Sequence, residues 1–136
     1  MTLAGGCFCG KVRYEVAGEV FNASLCHCTT CRRTTGAPVT AWFSTPTPAF
    51  RFVSGSPREI VSSPTGVRRF CGDCGTLLTF VDSRYDDVDV TLASLDDPAQ
   101  VTPVDQLWVG SRLAWMQTAP ALPELPQGHN APPPSA

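Results

Sequence analysis

The side chains with chemistry to offer in this 136-residue sequence are seven cysteines in three tight groups: Cys7-x-Cys9, Cys26-x-Cys28-x-x-Cys31 and Cys71-x-x-Cys74. A thiolate binds soft metal ions and attacks electrophiles, so each group is a ligand set or a reactive cluster. A disulfide framework favours an even count, and a bridge between residues two apart is badly strained. Metal suits the spacing better. Zinc takes four tetrahedral ligands in structural sites, and three protein ligands plus an open position in catalytic ones. Seven sulfurs divide accordingly: Cys26, Cys28 and Cys31 can converge on one ion from a single turn, while Cys7 and Cys9 join Cys71 and Cys74 in a closed four-thiolate site. Gly10 and Gly75, directly after the two pairs, ease the knuckle turns that aim backbone N–H groups at sulfur. Two zinc ions are expected, one structural and one catalytic at the trio. Two other readings of the trio stand beside this one. It is either a second structural site completed by His27, an aspartate or His129, or a set of redox thiols without metal. His27 lies between two ligand cysteines, so on extended backbone its side chain points away from the ion they share.

With seven thiolates on two Zn²⁺ ions, the formal charge of −2 falls to about −5, which leaves nearby arginines thiolate charge to offset. Arg32 and Arg33 directly follow the trio. They are the candidates to dock a substrate carboxylate, since a guanidinium fork matches that group; otherwise they bind thiolates or carbonyls, or face water. Trp42, Trp108 and Trp115 read as core or pocket wall. Arg112 either reaches a substrate or pairs with an acidic strand residue. No residue presents itself as a general base, and His27 is the histidine nearest the trio. A thiol filling the open zinc position would be presented as a thiolate beside an aldehyde. Three thiolate ligands leave the site at −1, so orientation and proximity are expected to count for more than carbonyl polarisation.

The elements that must position these groups are strands. Val12, Tyr14 and Val16 alternate with Lys11, Arg13 and Glu15, and Val88, Val90 and Leu92 with Asp87, Asp89 and Thr91. Val39, Ala41 and Phe43 alternate likewise, as do Phe50 with Phe52 and Leu78 with Phe80. That is the strand period, broken by Gly/Pro/Ser-rich turns at Gly18, 45–48, 54–57 and 63–66. The expected fold is all-β and mainly antiparallel with little helix, the best helical turn being Asp96-Asp97-Pro98. One zinc-binding domain is expected over residues 1–116. Residues 117–136 form a Pro-rich tail with six of the thirteen prolines, in which Leu122 and Leu125 are still able to pack against the body.

Net charge −2 and a pI near 5.5 argue against a nucleic-acid partner, which needs a strongly basic face. No apolar run approaches the ~20 residues that span a bilayer, so no membrane partner is expected. Met1–Gly6 has neither the basic start nor the apolar stretch of a signal peptide, which points to a cytoplasmic protein. An exposed strand edge permits an oligomer, although no residue specifies one.

The order Cys7-Phe8-Cys9-Gly10, Cys26-His27-Cys28-Thr29-Thr30-Cys31-Arg32-Arg33 and Cys71-Gly72-Asp73-Cys74-Gly75-Thr76 resembles the glutathione-dependent formaldehyde-activating enzyme family. Gly36-Ala37-Pro38, Ala41-Trp42-Phe43, the stretch from Val90 to Asp96, and Ser111-Arg112-Leu113-Ala114-Trp115 extend the resemblance over about residues 5–125. It implies a β-tent fold, a structural zinc on Cys7, Cys9, Cys71 and Cys74, and a catalytic zinc on Cys26, Cys28 and Cys31. It also implies a carbon–sulfur lyase reaction: reversible joining of formaldehyde to the thiol of glutathione, giving S-hydroxymethylglutathione. The chain departs from the family pattern at Gln106-Leu107-Trp108, where a histidine often precedes Leu-Trp, and at Pro120-Ala121-Leu122-Pro123, where Asp-Gly-Leu-Pro is common. The alternative expectation is a zinc-bearing structural or ligand-binding module without catalysis on the same fold.

Overall fold

The computed structural model describes residues 2–130. Its strands are β1 (Thr2–Gly6), β2 (Arg13–Ala17), β3 (Phe21–Cys26), β4 (Thr40–Pro46), β5 (Phe50–Ser54), β6 (Arg58–Val61), β7 (Gly66–Phe70), β8 (Leu77–Asp82), β9 (Asp87–Thr91) and β10 (Asp105–Leu107), with one helix, α1 (Thr29–Thr35). The alternating runs become strands over most of their length, with Val12 and Val39 just before β2 and β4 and Leu92 in a 3₁₀ turn after β9, because a period-two pattern buries one side of a pleated ribbon and wets the other. They form a three-stranded sheet ordered β1-β2-β5 and a seven-stranded sheet ordered β10-β3-β4-β9-β8-β7-β6. Every pairing is antiparallel except β10 with β3. The mainly antiparallel all-β expectation therefore holds.

The core lies between the sheets. Leu3, Tyr14 and Val16 of the small sheet meet Phe43, Leu78 and Val90 of the large one, all at or below 1% exposure. Each such side chain stabilises the fold by roughly 1.5–3 kcal/mol through burial. The Tyr14 hydroxyl is satisfied at 2.8 Å by Ser94 Oγ, and Arg13 pairs with Asp96 at 2.5 Å, so the turn after β9 is tied to the small sheet.

The other face of the large sheet is polar. Register places Ser44, Asp89, Phe80 and Arg68 in one row across β4, β9, β8 and β7. Asp105, Ser24 and Trp42 make a second row across β10, β3 and β4. An antiparallel sheet tolerates this asymmetry, with one face dry and one available to a ligand.

Helix α1 was not legible from apolar periodicity. Its sequence, Thr-Thr-Cys-Arg-Arg-Thr-Thr, has no apolar stripe. Caps hold it instead: Cys28 Sγ accepts from the Cys31 amide at 3.2 Å, and Gly36 closes the far end in the left-handed region. The helical turn expected at Asp97-Pro98 is a 3₁₀ turn over Pro98–Gln100, capped by the Asp97 side chain. Two further 3₁₀ turns occupy Ala114–Gln117 and Ala119–Ala121. Leu122 and Leu125 stay more than half exposed, so the packing expected of them does not form. Residues 131–136 of the Pro-rich tail fall outside the described residues. No helix among the described residues is long and apolar enough to cross a membrane.

Candidate metal centres and the cavity beside them

The loop after β1 carries Cys7 and Cys9, and the β7–β8 loop carries Cys71 and Cys74. Each makes the same tight turn. Gly10 N donates to Cys7 O at 3.1 Å and Gly75 N to Cys71 O at 2.8 Å, and both glycines have φ above +80°. That left-handed backbone is nearly free only for glycine. The two knuckles are laced by Phe8 N donating to Thr76 Oγ1 at 3.0 Å and by the Lys11–Asp73 ion pair at 3.0 Å. Their four sulfurs lie within 4.8 Å of one another, with Cys7–Cys9 at 3.5 Å and Cys9–Cys71 at 3.7 Å.

The second cluster is Cys26, Cys28 and Cys31, again with sulfurs within 4.8 Å of one another. Cys26 ends β3, Cys28 caps α1, and Cys31 sits buried one turn inside the helix. All seven cysteines are free thiols. Sulfurs on a tetrahedral zinc at ~2.3 Å stand ~3.8 Å apart, whereas a disulfide needs about 2 Å. The four-sulfur cluster thus has the spacing of a metal's ligand shell, and the trio is compact enough to share one ion. Protons at the trio are shared unequally. Cys31 is drawn down to about 5 by the Cys26 thiol beside it, with Cys28 and Arg68 helping, while the same proximity pushes Cys26 well up. A divalent ion held by the three sulfurs would resolve that conflict by replacing the protons.

Among the described residues neither cluster gathers a histidine or carboxylate. His27 is buried at 1% exposure, and its Nε2 donates to Gln106 Oε1 at 2.8 Å. It lies outside both clusters, as its place between two ligands implies.

The clusters differ in access. A cavity of about 710 Å³ is lined by Cys26, Cys28 and Cys31, and by none of Cys7, Cys9, Cys71 or Cys74. Its walls are the polar sheet face, including Ser24, Trp42, Asp89 and Arg68, with Leu107 and Trp108 also in the lining. Trp42 is core and wall together; Trp108 lines the cavity but is 69% exposed, and Trp115 is exposed and away from it. Trp115 thus departs from the expectation of core or wall.

By sequence, Arg32 and Arg33 are open to docking a substrate or to binding carbonyls or water. Neither lines the cavity, and Arg32 Nη1 donates to the Ser111 carbonyl at 2.8 Å. The arginine beside the trio is Arg68, with Nη2 at 3.9 Å from Cys31 Sγ and its guanidinium over the Phe80 ring at 4.7 Å. Arg84 lines the rim, paired to Asp82 through Nε and Nη2, which hold the Asp82 carboxyl well below the usual range. Asp89 differs. Ser44 Oγ donates to its Oδ1 at 2.5 Å, and burial raises it to about 6, with Asp87 and Cys31 adding to the rise and Ser44 and Arg68 opposing it. The sequence signal for Arg68 and Asp89 was only a charge at an alternate strand position, which ordinarily marks solvent.

Fold and site together define a two-sheet β protein with two all-cysteine clusters able to hold metal, one joining two loops and one opening into a cavity. The profile of the glutathione-dependent formaldehyde-activating enzyme family matches residues 2–111, and the chain belongs to that family. The crystal structure of a Rhodobacter sphaeroides protein shares the fold with a TM-score of 0.55 at 24% identity, over 76% of this chain and 98% of that one. No curated protein matches this chain.

Proposed function

We propose that this protein catalyses the reversible joining of a small thiol such as glutathione to a small aldehyde such as formaldehyde, a carbon–sulfur lyase reaction with S-hydroxymethylglutathione as adduct. The observation that carries this reading is the placement of the trio, and of the trio alone, in the wall of a cavity of about 710 Å³. Cys26, Cys28 and Cys31 hold a catalytic zinc, and Cys7, Cys9, Cys71 and Cys74 a structural one. A zinc ion on these three thiolates would acidify an incoming thiol and so ease the loss of its proton to a base in the cavity. The chain supplies orientation: Trp42 and Phe80 form apolar wall, and Ser24 and Ser44 hold the carboxylates of Asp105 and Asp89 in place. Arg84 at the rim takes the carboxylate-docking role first expected of Arg32 and Arg33, through the Nη1 edge that Asp82 leaves free. The family's name for its substrates supports the thiol and the aldehyde.

Cobalt-substituted protein titrated with glutathione tests the reading. The sulfur-to-cobalt bands are expected to shift, and Cys28→Ser is expected to abolish accelerated exchange between free formaldehyde and the adduct in magnetisation-transfer NMR. Unshifted bands together with equal exchange rates for the two proteins would favour a non-catalytic zinc module.

A further inference from the structure

Three carboxylates line the cavity, and they are not equivalent. Asp82 is gripped by the Arg84 side chain through Nε and Nη2 at 3.0 and 2.7 Å and by the Arg84 amide at 3.1 Å, so it is locked as an ion-pair partner. Asp105 lies on the exposed edge strand β10, where it accepts from Ser24 Oγ. Asp89 stands in mid-sheet, between Ser44 of β4 and Phe80 of β8. Only its Oδ1 is engaged; among the described residues Oδ2 receives no hydrogen bond, and the side chain lines the cavity that also holds the trio. Ser44 fixes the carboxylate plane, as an orienting partner does for a proton-transfer group.

We propose that Asp89 is the proton-transfer residue of the thiol–aldehyde reaction, an inference that rests on the function proposed above. In the joining direction the thiol proton passes to Asp89 Oδ2, and a sulfur lone pair forms the carbon–sulfur bond. The carbonyl π pair moves onto oxygen, and that oxygen takes the proton back from Asp89. Cleavage runs the same path in reverse: Asp89 takes the hydroxyl proton, the C=O bond forms, and the carbon–sulfur pair departs with sulfur. Atoms and electrons balance without a further reactant. His27 has no share in this, because its ring lies outside the cavity wall with Nε2 on Gln106.

The surroundings suit the task. Burial raises the carboxyl to about 6, near the operating pH, where a group both accepts and returns a proton efficiently. The groups that set its charge are Asp87 on its own strand, Arg68 on β7, Cys31 in α1 and the Ser44 hydroxyl on β4. A half-buried carboxylate with one neutral hydrogen bond adds little to the folded state, so a role in packing does not explain it.

The test uses metal-loaded full-length protein, glutathione and formaldehyde, with exchange measured by NMR from pH 5 to 8. Asp89→Asn is expected to lower the catalysed rate by about 10²-fold or more. It is also expected to flatten the pH profile, which in the wild type bends near 6. Both metals, the glutathione-induced cobalt band shift and a melting temperature at pH 7 no lower than wild type are expected to survive. Asp87→Asn, which removes the same charge outside the cavity wall, is expected to keep the catalysed rate at its plateau and to move the bend of the profile down, because Asp87 helps to raise Asp89. An Asp89→Asn protein with wild-type rate and profile, or one slowed only because it lost metal or thiol binding, overturns the role while leaving the proposed function standing. A wild type that does not accelerate exchange overturns both.

Discussion

At the scale of single residues, Arg68 is the buried cation beside the trio. The side chain is 4% exposed, yet its nearest anionic partner is sulfur: Nη2 lies 3.9 Å from Cys31 Sγ, Nε bonds Ser62 Oγ at 3.1 Å, and Nη1 has no partner. Burying an unpaired guanidinium costs several kcal/mol, about what two aromatic faces alone fail to return. Thiolate charge at the trio is what makes the placement tolerable. Removing that cation should therefore weaken the metal's hold on the trio without touching the knuckles. Arg68→Met, which keeps an apolar stem between Trp42 and Phe80, is expected to lower metal affinity at the trio about 10–100-fold, the range for partners one step out from a ligand. Competition against a chromophoric chelator should resolve two steps in the wild type and move only the weaker one in the variant. Identical curves would remove Arg68 from any part in metal retention.

At the scale of elements, the cysteine pattern was legible and its supports were not, for one physical reason. Ligand sets are written locally, in residue type and short spacing, so Cys7-x-Cys9 and Cys71-x-x-Cys74 announced themselves. Arg68 and Asp89 meet the trio only through strand register, which joins positions 21 residues apart by way of Phe80. Helix α1 stayed hidden because capping, rather than an apolar stripe, holds it. The turn at Gly55 was legible, but not its burden. Its φ is +74°, and an added Cβ would stand 2.3 Å from the Lys11 carbonyl oxygen, so the end of β5 presses directly on the first knuckle. Gly10 shares the left-handed backbone, at φ +83°, but has open space around it. Gly10→Ala is then expected to cost about 1–2 kcal/mol, the backbone penalty alone. Gly55→Ala adds a clash with main chain and is expected to cost about 3 kcal/mol or more. Urea unfolding of the two variants measures the difference directly; equal midpoints would mean that the β5 end yields freely.

At the scale of the whole molecule, the two sheets meet over an apolar core at one level and over the knuckles at another. Cys7 and Cys9 follow a strand of the small sheet, and Cys71 and Cys74 join two strands of the large one, with Cys9 and Cys71 62 positions apart in sequence. A metal ion shared by these loops closes a long stretch of chain, so its binding free energy adds to folding free energy. The trio is different in kind: its three sulfurs lie within six residues at the end of β3 and the start of α1, and closing so short a loop constrains the unfolded chain little. The two candidate metal sites should separate in a melting experiment. Cys71→Ser removes a ligand that is 1% exposed and is expected to lower the unfolding midpoint by about 10 °C, corresponding to roughly 2–4 kcal/mol in a domain of this size. Cys28→Ser, at a half-buried position facing the cavity, is expected to shift it by only a few degrees while removing the second metal equivalent. Stripping both metals with a chelator should bring the wild type down to the Cys71→Ser midpoint and should move Cys71→Ser itself very little. Equal losses from the two substitutions would mean that both clusters hold the fold, and the division into a clamp and a working site would fail.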